Sequence, residues 1–92
     1  MILIDVNEPR FYEIKLKAEG IQVRRERIEF CDYIVKVRDL EVAVERKEIN
    51  DYLSSIIDGR LFRQLYLMSY HYPFSYLVVV GYVSLALRLH YT

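Results

Sequence analysis

Cysteine is nearly absent from this chain: Cys31 is the single one among 92 residues. It can form no internal disulfide. No basic stretch leads into an apolar signal region at the amino terminus, so an intracellular, reducing compartment is expected. Glycine and proline are scarce, three and two, and no linker, repeat or low-complexity tract is found. An excess of one charge is also missing, because 13 basic side chains offset 13 acidic ones. Bulk charge therefore gives no reason to propose a nucleic acid partner, although Arg24, Arg25 and Arg27 cluster locally. The most apolar tract, Tyr76 to Leu89, is interrupted by Gly81, Ser84 and Arg88. It falls short of the roughly 20 residues a membrane span needs and is read as core or interface, with no membrane partner. His71 and His90 lack a cysteine or histidine at zinc spacing. The missing phosphate-gripping glycine loop excludes an ATP-dependent motor within the chain.

What is present is a globular composition, 53% apolar and 28% charged, enough for one core and too short for two domains. Met1 to Val6 reads as a buried strand that delivers Asp5 to its end. Pro9 suits a helix start, Phe11, Ile14 and Ala18 recur at helical spacing, and Gly20 supplies the stop. Ile21 to Ile28 suits a strand with one wet face. Tyr33 to Val37 and Leu40 to Val44 flank Arg38 and Asp39 and predict a hairpin. From Ile49 the period becomes helical, with Leu53, Ile56 and Ile57 on one side, until Asp58 and Gly59 break it. A second helix is expected from Arg60 to about His71, then an uncharged strand, Phe74 to Val80, central in the sheet with both faces covered. Tyr82 to His90 could close the chain as a helix. The order βαβββααβα implies an α/β layer structure.

The hairpin also builds a candidate site. A two-residue turn at Arg38 and Asp39 pairs residues whose numbers sum to about 77, which places Asp32 opposite Glu45. Opposed side chains lie about 4.5 to 5.5 Å apart at Cβ, and two carboxylates so placed repel. A divalent cation would offset that repulsion. Strand alternation puts Glu45 and Lys47 on one face and Arg46 on the other. Two carboxylates and a lysine suit phosphodiester hydrolysis, in which a metal acidifies water and a lysine orients or deprotonates it. Asp5 and Glu8 are available to complete the ligand set. The competing reading is that these charges are simply solvated near strand ends, and a loop one residue longer would turn Asp32 away from Glu45.

These residues stand in an order with a known counterpart: Asp32-Tyr33, then Glu45-Arg46-Lys47, three residues, Asp51, then Ser55-Ile56-Ile57-Asp58-Gly59-Arg60-Leu61 and Gln64. This resembles the XPF and archaeal Hef nucleases over roughly Ile2 to Val80. The resemblance implies a restriction-endonuclease-like three-layer core, a central mixed sheet flanked by helices. It further implies a structure-specific endonuclease that uses Mg²⁺ or Mn²⁺ to cut one strand of branched DNA, a flap or fork, near a junction of paired and unpaired regions in DNA repair or fork processing. Asp32 and Glu45 then correspond to metal ligands, with Asp5 and Glu8 as a further acidic pair. Lys47 corresponds to the catalytic lysine, Arg46 and Asp51 to supporting catalytic residues, and Arg60, Gln64 and Arg46 to positions facing DNA.

The chain departs from the family pattern at Cys31, where the motif has glycine, at Asn7, where an arginine is usual, and at Val80, where a glutamate commonly precedes Gly81. It stops at Thr92, without the helix-hairpin-helix module many relatives add, so residues 1–92 are read as one truncated or minimal nuclease domain. The apolar closing segment predicts self-association, as a homodimer or with a related nuclease-like chain. A helicase or sliding clamp would act in trans. The alternative function is a non-catalytic interaction or DNA-docking subunit, against which the intact Asp32, Glu45 and Lys47 argue. Tyr66, Tyr70, Tyr72 and Tyr76 lie close together and are read as core or interface packing in preference to base-stacking.

Overall fold

The computed structural model describes residues 1–81. Its elements are β1 (Ile2–Asp5), α1 (Arg10–Ala18), β2 (Val23–Glu26), β3 (Tyr33–Val37), β4 (Leu40–Glu48), α2 (Ile49–Ile57), α3 (Arg60–His71) and β5 (Phe74–Val80). The helix expected at Tyr82 to His90 lies outside the described residues. Five strands form one mixed sheet in the order β2-β1-β3-β4-β5. The β1–β2 and β4–β5 pairs are parallel and the two between them antiparallel. Each parallel pair needs a crossover, and α1 supplies one while α2 with α3 supplies the other.

The hairpin has the predicted register, Tyr33 opposite Val44 through Val37 opposite Leu40. Its turn is tight because Arg38 takes a left-handed φ of 56° at the first turn position. Strand alternation then sorts the side chains. Leu3, Ile34 and Ala43 face α3 and, with Cys31 and Met68, form the buried core. Tyr33 and Arg46 face the α1 side, where a cleft of about 300 Å³ is lined chiefly by valines, Ile2, Tyr12 and Leu16.

Helix α1 forms where the spacing predicts it, yet Phe11, Ile14 and Ala18, which carry that spacing, are exposed, and Tyr12, Glu13 and Leu16 face the sheet. Glu13 pairs with Arg25 of β2, so polar anchoring replaces an apolar stripe. Among the described residues β5 is an edge strand, not a central one, and Phe74, Tyr76 and Val78 are well exposed. On α2 the side chain most fully buried is Ser55, whose hydroxyl donates to the Tyr52 carbonyl, while Ile57 faces outward.

Candidate active site

Asp32 stands immediately before β3, and its main chain carries the ladder onward. Its N–H donates to the Val44 carbonyl at 3.0 Å, and its carbonyl accepts from the Asp5 N–H at 2.9 Å. These two bonds clamp Asp32 between β1 and β4. One carboxylate oxygen accepts the backbone N–H of Arg46 at 2.8 Å, and Glu45, one position beyond Val44 in the register, lines the same cleft as Asp32. The opposition expected from the hairpin register is therefore present.

The pair forms part of a cleft of about 260 Å³ whose walls also include Asp5, Cys31 and Gln64. Burial raises the Asp32 carboxyl above its ordinary value, against the pull of the Arg46 N–H. Glu45 is pushed up to about 7, first by desolvation and then by the charge of Asp32. Lys47 lies on the same face, half-buried, and its charge favours ionisation of Glu45. It acts likewise on Asp58 in the turn between α2 and α3.

The other expected residues are distributed differently. Asp5 borders the cleft, but its two oxygens accept the N–H groups of Asn7 and Ile28 at 3.1 and 2.9 Å. Glu8 is on the opposite face, where Arg46 grips both of its oxygens at 2.8 and 3.1 Å. Arg46 also bonds Glu48 at 2.6 Å and lies over the Tyr12 ring at 4.7 Å. The motif arginine thus ties the end of β1, α1 and β4 together, while its backbone orients Asp32. Asp51 is exposed in the first turn of α2, where its charge favours the helix amino terminus. Arg60 pairs with Asp58 at the surface, at 2.7 Å, and does not line the cleft. Its expected neighbour Gln64 does reach the cleft, and Gln64 Oε1 is buried without a hydrogen-bond partner among the described residues.

Among the described residues no three His, Cys, Asp or Glu side chains converge as a ready metal cage. The Asp32–Glu45 pair nevertheless fits a divalent cation. Both are oxygen donors, burial and their mutual repulsion outweigh the help they draw from the Arg46 N–H and the Lys47 charge, and the orphaned Gln64 Oε1 leaves an acceptor that a hydrated ion would satisfy. Cys31 takes an ordinary backbone conformation; the left-handed residue is its neighbour Phe30, with φ 73°. The thiol is buried and raised to about 11 by desolvation, so it is inert packing at the cleft wall. Ile28, Phe30 and Leu67 also line the cleft and were not expected there. Phe30 comes from an irregular loop, which no periodicity marks, and Ile28 was expected in a strand over Ile21 to Ile28 that in fact ends at Glu26.

The sequence pattern of the ERCC4 domain matches residues 4–91. A 3′-flap repair endonuclease Xpf from Saccharolobus solfataricus is 39% identical over 66 residues, 72% of this chain and 27% of that protein. A putative ATP-dependent RNA helicase from Methanocaldococcus jannaschii is 38% identical over 64 residues, 70% of this chain and 8% of its own length. Among solved structures, XPF from Aeropyrum pernix in complex with DNA superposes with a TM-score of 0.78 at 32% identity, over 89% of this chain and 40% of that one. The same protein in a structure described without DNA gives 0.75 at 31%, over 88% and 40%. The chain thus spans about a quarter of the length of the curated endonuclease it resembles.

Proposed function

Because this chain belongs to the ERCC4 domain family, as an XPF-type nuclease domain, we propose that it cuts one strand of branched DNA, a flap or fork, near a junction of paired and unpaired regions. The observation that carries the reading is the desolvated Asp32–Glu45 pair, with Lys47 on the same face of β4. The similarity to an XPF described in complex with DNA supports the substrate class.

Asp32 and Glu45 would hold Mg²⁺ or Mn²⁺, with Gln64 beside them. When bound, the cation neutralises phosphate charge and makes water a stronger acid at neutral pH. Lys47 orients or deprotonates the attacking water, a contribution worth about 10²-fold or more in rate. Arg46 acts at one remove: gripped by Glu8 and Glu48, it fixes the backbone N–H that aims Asp32. The reading includes DNA repair or fork processing inside the cell, and association with a second copy or a related nuclease-like chain. The uncharged edge strand β5 supports the latter.

Labelled flap, fork and linear duplex DNA are incubated with the chain in Mg²⁺, Mn²⁺ or EDTA. Nicking confined to the branched substrates, dependent on metal and lost in Asp32→Ala and Lys47→Ala, is the expected result. Absence of metal-dependent nicking would replace this reading with that of a non-catalytic docking subunit, and equal cutting by the variants would place the chemistry elsewhere.

A further inference from the structure

Four aromatic rings run from the lip of the carboxylate cleft outward along α3. Phe30, part of the cleft wall, stacks on His71 with centroids 4.0 Å apart and planes 7° from parallel. His71 meets the edge of Tyr70 at 5.1 Å, and Tyr70 in turn stacks with Tyr66 at 6.5 Å. These rings are not buried: Tyr66 is 67% exposed and Tyr70 74%. Neither tyrosine packs in the core, one of the two places expected for them, and only Tyr72 of the neighbouring group packs against it.

A row of large exposed rings is costly to keep in water, and single scattered ones would need no explanation. Phe30 adds a second cost, because a bulky residue at φ 73° is strained and such strain collects at functional sites. Arg63 lies three residues before Tyr66 and seven before Tyr70, on the same helical flank. It is exposed and has no ion partner among the described residues, whereas Arg60 is engaged by Asp58. An open guanidinium beside exposed ring faces has the chemistry of a strand with unpaired bases, charge for the phosphates and π-faces for the bases.

We propose that Tyr66, Tyr70 and the Phe30–His71 stack form a platform on which unpaired nucleobases of the DNA strand leading to the Asp32–Glu45 cleft stack, with Arg63 on its backbone. The proposal rests on the nuclease reading for the identity of the strand. The continuity of the rings with the cleft through Phe30 is what ties the platform to the site. It gives the chain a way to distinguish a junction's unpaired arm from duplex, since bases within a duplex offer no free faces.

The test is binding, kept separate from cutting. The chain is titrated in EDTA against fluorescein-labelled forked DNA with unpaired arms and against fully paired duplex of the same length. Tyr66→Ala/Tyr70→Ala is expected to weaken fork binding by about tenfold or more while leaving duplex binding and the salt slope unchanged. Tyr66→Phe/Tyr70→Phe should restore fork binding, because the face and not the hydroxyl is used. Arg63→Gln should weaken both substrates and reduce the salt slope by about one. Unchanged fork affinity in the alanine variant, or equal loss on fork and duplex, overturns the platform. A fall in sedimenting mass without a fall in fork affinity overturns it in favour of a protein contact. Ring-dependent fork binding without metal-dependent nicking would sink the nuclease reading and leave the platform; nicking with no ring dependence would do the reverse.

Discussion

Glu45 is the residue through which the site senses pH. Its folded value of about 7 lies above its ordinary 4.5, so between those values the folded chain holds a proton that the unfolded chain has released. The linked stability is therefore fully present below about pH 4.5 and lost as pH rises through about 7. Asp32, raised for the same reason, adds in the same direction. Thermal unfolding without metal is expected to show the melting temperature falling from pH 5 to 7.5, and Glu45→Gln should flatten that fall and be the more stable at pH 7.5. Mg²⁺ should raise the melting temperature more at pH 7.5 than at 5.5, because proton and cation compete for the same oxygens. A wild-type profile flat with pH would refute this account. On the opposite face, Glu8 and Arg46 are 8% and 13% exposed, so removing one strands the other. Glu8→Ala should cost on the order of 3 kcal/mol in urea unfolding; a loss below about 1 kcal/mol would mean that Glu48 and Tyr12 suffice to hold Arg46.

Among the elements, the β3–β4 hairpin does most to place the chemistry, and it was also the most legible. Two β-rich runs around Arg38 and Asp39 fix a register, and the register fixes which side chains meet. Helix α1 shows the opposite case. Its apolar residues repeat at helical spacing, yet the sheet meets the flank carrying Tyr12 and Leu16, and Glu13 reaches Arg25. The pattern marked the helix and did not mark its inner face. Ile14→Gln should accordingly change stability by no more than about 0.5 kcal/mol. Met68→Ala, at a residue 2% exposed in the core, should cost about 2–5 kcal/mol in the same urea assay. Comparable losses at the two positions would contradict the observed packing.

At the scale of the molecule, β5 is seven uncharged residues at the sheet edge among those described. An edge without a charged gatekeeper invites pairing with another chain. Sedimentation velocity over a concentration series is expected to show a dimer forming, and Val78→Lys should shift it toward monomer while the melting temperature reports that the fold survives. A wild-type mass that stays monomeric at every concentration would remove association from the proposed function. The uncharged composition of Phe74–Val80 suggested a doubly covered central strand, and composition alone does not distinguish that from an edge reserved for a partner.

Read without the fold, the residues already settled the order of the described elements, the hairpin register and the meeting of Asp32 with Glu45, because strand alternation and a two-residue turn are local constraints. The tertiary structure alone decided that Glu8 serves Arg46 on the other face, that Asp5 is occupied by two backbone N–H groups, and that Gln64 reaches the cleft while Arg60 does not. It also decided that Phe30 lines the cleft and that Tyr66 and Tyr70 face water. Those outcomes depend on how helices and loops seat against the sheet, through contacts between residues distant in the chain, and no local spacing encodes them.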